Sequence, residues 1–97
     1  MNSKIPLYDS FANKKTIASS TDLNNLMDPG VYICASSTVA SSLAHCPYTT
    51  SGFSLIVFGG SGNLQQLLVA GNVMYTRRAS TSGFFHWFSY AGTDTGS

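Results

Sequence analysis

Apolar segments separated by short glycine-rich or polar turns make up the second half of the chain, and this pattern is typical of an antiparallel β-meander. A glycine turn at Gly59–Gly62 and the two-residue hairpin signal Gly71-Asn72 divide the apolar segments. The pattern predicts five strands: Val31–Ala35, Phe53–Phe58, Leu64–Ala70, Val73–Ala79 and Phe84–Tyr90. Because the last four strands have short connections, we expect a mainly β fold with a small antiparallel sheet.

Both faces of the predicted strands are apolar, which is unusual for a sheet that is half exposed in a lone monomer. In the last strand one face carries Phe84, His86, Phe88 and Tyr90, and the other carries Phe85, Trp87 and Ser89. Oligomerisation is the simplest way to cover a second apolar face. The alternative is a monomer in which the loop at Ser36–Thr50 and the N-terminal segment fold over that face.

The twelve residues TDLNNLMDPGVY, at Thr21–Tyr32, depart from the strand pattern and predict one short helical turn near residues 22–27. Either of the first two residues can cap the turn, because a side-chain oxygen there accepts from the free N–H groups of the first turn. The proline then disfavours helix, and the glycine allows a tight turn into the first strand. The residues with predicted structural roles are Asp22, Leu23, Leu26, Pro29, Gly30 and Tyr32.

The order of these residues, D-L-N-x-L-x-x-P-G-x-Y, resembles the opening signature of the pyocin-knob domain. That family occurs near the ends of tail fibres in bacteriophages and in phage-tail-like bacteriocins. It usually closes with Tyr-x-Arg, a loop and Trp-x-x-Trp. Here Tyr75-Thr76-Arg77 precedes Ser80–Gly83 and the segment FFHW, in which Phe84 replaces the first tryptophan. The resemblance covers roughly residues 20–91 and implies structural roles for Arg77 and Trp87.

The resemblance implies a homotrimer, either intertwined or side by side, in the tail fibre of a virion assembled in the host cytoplasm. The expected function is attachment to the host through non-covalent binding of a bacterial surface polysaccharide or lipopolysaccharide. The alternative is a purely structural, trimer-forming knob, with receptor binding done by another domain. An accessory module of a lyase or hydrolase is a third possibility.

Three segments are predicted along the chain. Residues 1–20 are interpreted as a connector to a preceding fibre segment, with a flexible chain end as the alternative. Residues 21–92 form the knob-like domain, and residues 93–97 a flexible tail. Within the domain, Ser36–Thr50 is a long polar loop, with a small strand near Pro47–Thr50. Long loops in compact domains are often functional.

The composition narrows the classes of partner. Charged residues make up 9% of the chain, the formal net charge is +1 and there is no glutamate. Without a basic surface, nucleic-acid binding is not expected. No apolar segment is long enough to cross a bilayer, and the N-terminus lacks the pattern of a signal peptide.

Covalent chemistry is not expected. The four acids, Asp9, Asp22, Asp28 and Asp94, lie in turns or near the chain ends, which does not suit the paired carboxylates of a glycosidase. The histidines and cysteines lack zinc-ligand spacing, so no metal or other cofactor is predicted. Cys34 and Cys46 can pair, but without a secretion signal we favour two free thiols.

Glycan binding needs exposed aromatic rings with polar or charged neighbours. The candidate ligand-binding residues are Tyr48, Arg78, His86 and Tyr90, with Asn63, Gln65 and Gln66 as polar neighbours. Trp87 is interpreted as a core or trimer-interface residue. Strand alternation places Arg77 and Arg78 on opposite faces. Because Arg77 matches the arginine of the family, the resemblance implies that it holds a buried hydrogen-bond network with Asp22 or with carbonyls of the opening motif, while Arg78 is the one expected to meet a partner.

Overall fold

The computed structural model describes residues 13–60, 62–80, 82–84 and 86–96, which form one sheet of seven strands. The strands are β1 Lys15–Thr16, β2 Gly30–Cys34, β3 Phe53–Gly60, β4 Asn63–Ala70, β5 Val73–Ser80, β6 Gly83–Phe84 and β7 Phe88–Ala91. They lie in the order β1-β2-β3-β4-β5-β6. The last strand, β7, also pairs with β5, along a different part of it from β6. Only β1 runs parallel to its neighbour. The predicted antiparallel fold is confirmed, and the predicted helical turn is the 3₁₀ helix Leu23–Asn25.

The hairpin between β3 and β4 is tighter than the sequence suggests. We predicted a turn over Gly59–Gly62, but β3 continues to Gly60 and pairs there with Asn63. Gly59 has φ of 103°, and a Cβ atom on it would lie 2.3 Å from the Asn63 carbonyl oxygen. Glycine is therefore required here for close approach of the two backbones as well as for its dihedral freedom.

The predicted last strand, Phe84–Tyr90, is wrong as one continuous element. Phe84 pairs with Ala79, whereas Phe88 pairs with Thr76, so three residues of the last strand lie opposite two residues of β5. This extra residue is a β-bulge, and it reverses the alternation of side chains beyond it. Phe84 therefore lies on the opposite face of the sheet from Phe88 and Tyr90, not on the same face as expected.

The long polar loop also differs from the prediction. No strand forms at Pro47–Thr50, and a short α-helix occupies Ser37–Ala40 instead. Ser36 caps this helix through its Oγ, which accepts from the Val39 backbone N–H at 3.3 Å. Ala40 is fully buried, so the loop packs against the core.

One face of the sheet, the covered face, carries the core. The fully buried residues there include Leu55 and Leu68, which pair directly across β3 and β4. The 3₁₀ helix covers this face with the buried side chain of Leu23, and the 36–50 loop adds Ala40 and Leu43. Ile17, just after β1, joins the same core and donates its N–H to the Ile33 carbonyl at 2.9 Å. The first twelve residues of the predicted connector lie outside the described residues.

The opposite face, the open face, keeps large apolar side chains in contact with solvent. From the strand register, it carries the exposed residues Phe58, Met74, Phe88 and Tyr90, with Ile56, Leu67 and Val69 partly buried among them. Phe88 is 62% exposed and Tyr90 is 53% exposed. The long loop lies on the covered face, so it does not shield these side chains. Among the described residues, no helix is long and apolar enough to cross a membrane.

Both cysteines are free thiols. Cys34 is buried and its Sγ donates to the Ser36 carbonyl at 3.4 Å, while the Sγ of Cys46 donates to the Tyr48 carbonyl at 3.0 Å. Burial raises the pKa of Cys46 above its usual value, and this outweighs the opposing effect of the hydrogen bond to Tyr48. Little reactive thiolate is therefore present at neutral pH.

We expect iodoacetamide at pH 8 to alkylate Cys46 at least about tenfold more slowly in the folded protein than in urea, because burial raises the pKa of the thiol and limits access of the reagent to Sγ. Cys34, which is more deeply buried, should react more slowly still. Mass spectrometry of quenched time points measures both rates. Equal rates for the folded and unfolded chains would contradict the buried, protonated state of Cys46.

Candidate functional site around Arg77

Arg77 is the centre of a polar site on the covered face of the sheet. Its guanidinium carbon lies 4.0 Å from the ring centroid of Phe84 and 4.3 Å from that of Trp87. Two cation–π contacts fix the guanidinium in place. The residue is only 6% exposed, and burial lowers the pKa of Arg77 to about 10, against the opposing effect of the Asp22 carboxylate. Arg77 therefore remains charged at neutral pH.

Gln66 connects Arg77 to the opening motif. Its Oε1 accepts from Arg77 Nε at 2.8 Å, and its Nε2 donates to the carbonyls of Leu23 and Leu26 at 2.8 and 3.0 Å. Gln66 is fully buried. The predicted network between Arg77 and the carbonyls of the opening motif exists, but it passes through Gln66.

Asp22 and His45 form the second polar pair of the site. The Oδ1 of Asp22 accepts from the Asn24 backbone N–H at 2.9 Å, which caps the 3₁₀ helix, and lies 2.7 Å from Nδ1 of His45. The hydrogen bond from Asn24, followed by that from His45, lowers the pKa of Asp22 below its usual value. Asp22 is thus ionised at neutral pH, and its Oδ1 contacts the Asn24 backbone N–H and the His45 side chain.

The 36–50 loop is fastened to the opening motif beside this pair. The backbone N–H of Leu23 donates to the Ala44 carbonyl, and that of Ala44 donates to the Thr21 carbonyl, both at 3.0 Å. His45 has φ of 56°, a left-handed conformation that is uncommon for a residue other than glycine. In this conformation its carbonyl accepts from Trp87 Nε1 at 3.0 Å. The loop, the opening motif and the bulge therefore meet at Arg77.

Two cavities border Arg77. The first, of about 280 Å³, lies on the covered face and is lined by Asn24, His45, Arg77, Phe84, His86 and Trp87. The second, of about 180 Å³, lies beside the bulge and is lined by Gln65, Thr76, Arg77, Arg78, His86 and Phe88. His86 borders both cavities because it lies in the bulge itself.

The structure brings together two of the four predicted ligand-binding residues. Arg78 and His86 are exposed and line the second cavity. Tyr90 lies farther along β7, beside Met74 on the open face. Tyr48 is half-buried against the core, its ring centroid 6.2 Å from that of Tyr75. Tyr48 therefore offers less free ring surface than a loop position suggests.

Sequence reasoning missed three residues of the site. The sequence predicts Gln66 as a polar neighbour of sugar-binding aromatic residues. The strand register instead places it on the covered face. Its spacing of two from Leu64 and Leu68 was the available signal. Asn24 belongs to the opening signature, but neither that signature nor the sequence around His45 predicts a place beside Arg77. In the part of the chain that the structure describes, no cluster of histidine, cysteine and acidic residues is suited to hold a metal ion.

The fold is that of a single twisted β-sheet domain with one face covered by the opening motif and the long loop. Two solved structures share it. The R1 pyocin fibre of P. aeruginosa matches with a TM-score of 0.77 at 20% identity, over 93% of this chain and 26% of that one. The N-truncated R2-type pyocin tail fibre matches with a TM-score of 0.73 at 20% identity, over 80% of this chain and 32% of that one.

These matches confirm, at the level of the fold, the resemblance that the opening and closing motifs predict. The chain spans about a quarter to a third of the length of the two fibre structures. No protein-family model and no curated protein matches the sequence.

Proposed function

We propose that this chain is a domain of a bacteriophage or pyocin-like tail fibre and attaches the particle to a bacterial surface glycan. The fold that it shares with the R1 pyocin fibre over 93% of its length is the observation that carries this proposal. In this proposal the domain belongs to the fibre of the assembled virion.

The domain acts as a homotrimer in this proposal, with the open face as the surface between protomers. Phe58, Met74, Phe88 and Tyr90 are each more than 40% exposed on that face. An apolar surface of this kind gains free energy when it is removed from water, at roughly 25 cal/mol per Å².

The glycan contacts proposed here are made by Arg78 and His86 around the second cavity. This cavity lies on the open face and shares Phe88 with the apolar surface, so the glycan is proposed to bind at the border of the contact between protomers. Both side chains are exposed, and together they offer a charged donor and a ring at the mouth of a cavity. The sequence predicts Tyr90 and Tyr48 with them, but neither residue lines this cavity, so they are weaker candidates.

Attachment is proposed to involve binding alone, without bond cleavage. Asp22, the acid closest to the polar site, already accepts from Asn24 and pairs with His45. A general acid or base exchanges a proton with substrate, whereas Oδ1 of Asp22 is held by these two local contacts.

The rival proposal is a structural knob that holds the trimer together while another domain contacts the host. The observation in its favour is that the motif residues inside the domain, Leu23 and Arg77, serve packing and hydrogen bonding.

We expect Arg78→Ala and His86→Ala to lower binding of the labelled domain to bacterial cells or lipopolysaccharide by about tenfold each, the equivalent of one lost hydrogen bond. Flow cytometry over a panel of strains measures the binding. Asn72→Ser, in the β4–β5 hairpin about 20 Å along β5 from Arg78, is the control. A folded wild-type domain that binds no strain would favour the structural knob, and wild-type binding by both variants would place the contacts elsewhere.

A further inference from the structure

The two lateral edges of the sheet expose backbone groups that point away from it. The sheet ends at β1 on one side and at β6 and β7 on the other, and every residue of β1 and β7 is exposed. Among the residues that the structure describes, each of these two strands pairs on one side only. A free edge of this kind is a template for pairing with a strand of another chain.

Ser89 and Ala91 carry the outward backbone groups of β7. The Gly92 N–H donates to the Asn72 carbonyl at 2.7 Å, in line with the register that pairs β7 with β5. Bonded and non-bonded pairs alternate along an antiparallel ladder, so Tyr90 bonds to β5 as well. The N–H and C=O groups of Ser89 and Ala91 therefore point to solvent at the free edge.

Lys14 and Thr16 carry the corresponding groups at the opposite edge. The Ile17 N–H donates to the Ile33 carbonyl at 2.9 Å, which directs Ile17 and, two residues before it, Lys15 towards β2. The N–H and C=O groups of Lys14 and Thr16 therefore point away from β2. Each lateral edge thus offers outward backbone groups on two residues that are two positions apart.

The side chains at the two edges are also complementary. β7 contains no charged residue and no proline, which are the residues that commonly protect a free edge from pairing. It carries the rings of Phe88 and Tyr90 on the open face. Lys15 shares the covered face with buried Tyr32, so Lys14, one position away, lies on the open face of β1. Aromatic rings attract a nearby ammonium group, which favours an edge that carries Lys14 as the partner of β7.

We propose that β7 of one protomer pairs with β1 of the next in the homotrimer, so that the three sheets continue into one another. This inference rests on the proposed trimer and names the strands that join it. A closed threefold arrangement uses two different surfaces at each contact, so the β7 edge cannot pair with another β7 edge in it. The β1 edge of a second copy is the other lateral edge of the described sheet, and it offers outward groups at the same spacing.

The direction and the register of the pairing follow from the sheet itself. β1 is parallel to β2 and the later strands alternate, so β1 and β7 run in the same direction and their pairing is parallel. All four residues of β7 lie opposite residues 14–17 when Ser89 faces Lys15. The covered faces of the two protomers are then continuous, and so are their open faces. Lys14 lies beside Phe88, so the partner that bonds to the edge also covers part of the apolar open face.

Cysteines introduced on the covered side of the two edges test this pairing. Ser89→Cys and Lys15→Cys are combined in the 97-residue chain, at exposed positions on opposite edges, so that a disulfide between them joins two chains. Paired strands lie about 4.8 Å apart, a separation that a disulfide spans. During oxidation with diamide, we expect covalent trimers on a non-reducing gel at least about tenfold faster than with the control pair Ser89→Cys and Asn63→Cys. Asn63 is exposed at the β3–β4 hairpin, three strands away from β1.

Peptide mass mapping shows whether the introduced cysteines are linked, rather than the native Cys34 and Cys46. Equal rates for the two pairs would overturn the proposed pairing. Disulfide dimers that form as fast with Ser89→Cys alone would also overturn it, because they would show β7 paired with itself. Sedimentation of the wild-type chain separates this inference from the proposed trimer. A wild-type trimer without the cross-link would refute the strand pairing and leave the trimer standing, whereas a monomer would refute both.

Discussion

Replacing Gln66 with leucine is expected to lower the free energy of unfolding by about 3–5 kcal/mol, a large part of the stability of a small domain. The leucine side chain fits a buried site, but it makes no hydrogen bonds. The carbonyls of Leu23 and Leu26 would lose their bonds to Nε2, and Nε of Arg77 would lose its acceptor. The main cost comes from the charged guanidinium, which stays buried with fewer partners.

Urea denaturation followed by circular dichroism measures this loss, at one protein concentration because assembly also affects stability. Gln65→Leu is the matched control. It makes the same chemical change one position away, on the open face, where the side chain is only partly buried. The control should change stability by less than about 1 kcal/mol. If both variants lost the same amount, the network through Gln66 would not be the cause.

Gln66 also shows what alternation in the sequence does and does not reveal. The strand β4 was predicted within one residue, because its apolar segment and its hairpin signal are both local. The two adjacent residues are both glutamine, and the sequence predicts both beside the candidate sugar-binding residues. Their phase relative to Leu64 and Leu68 separates them, because residues two apart share a face of the sheet.

The bulge between Phe84 and Phe88 could not be predicted in the same way. The segment from Phe84 to Phe88 is aromatic on both sides, so an uninterrupted strand and a shifted one give equally apolar faces. What fixes the shift is outside the segment: Arg77 lies between the rings of Phe84 and Trp87, and Trp87 reaches the His45 carbonyl. Contacts between residues 42 positions apart leave no local pattern in the chain.

The family resemblance supplies the centre of the candidate site, and the glycan candidates Arg78 and His86 supply part of the cavities beside it. Asp22 and Arg77 were named from the motifs, and both lie where the opening and closing segments meet. Asn24 and His45 became candidates through the docking of the 36–50 loop, which depends on backbone bonds between Leu23 and Ala44. The short helix at Ser37–Ala40 escaped prediction because one capping serine among several gives a weak signal.

The two faces of the sheet give the aromatic residues of the last strand different environments. The alternation in the sequence predicts Phe84 and Phe88 on the same face of the last strand. The bulge instead places Phe84 on the covered face with Arg77, and Phe88 is exposed on the open face. Since Phe84 packs within the domain, a substitution of Phe88 can test assembly without disturbing the Arg77 site.

Phe88→Glu is therefore expected to weaken formation of the proposed homotrimer by about a hundredfold, which corresponds to roughly 2.7 kcal/mol. A buried phenylalanine contributes about 1.5–3 kcal/mol through removal of its ring from water, and the glutamate adds a charge that resists desolvation. Phe88 is 62% exposed in the single chain, so the fold of each protomer should be unchanged. Sedimentation velocity over a range of concentrations measures the shift from trimer to monomer.

Ser89→Glu is the matched control for this prediction. It places the same charge one residue away in β7, but the strand register points it to the covered side, where the residue is exposed. A trimer that survives Ser89→Glu and dissociates with Phe88→Glu would identify the open face as the contact between protomers. A wild-type chain that sediments as a monomer at all concentrations would refute the proposed assembly, because its apolar face would then be stable in water without a partner. A Phe88→Glu trimer as tight as the wild type would instead place the contact on a different surface.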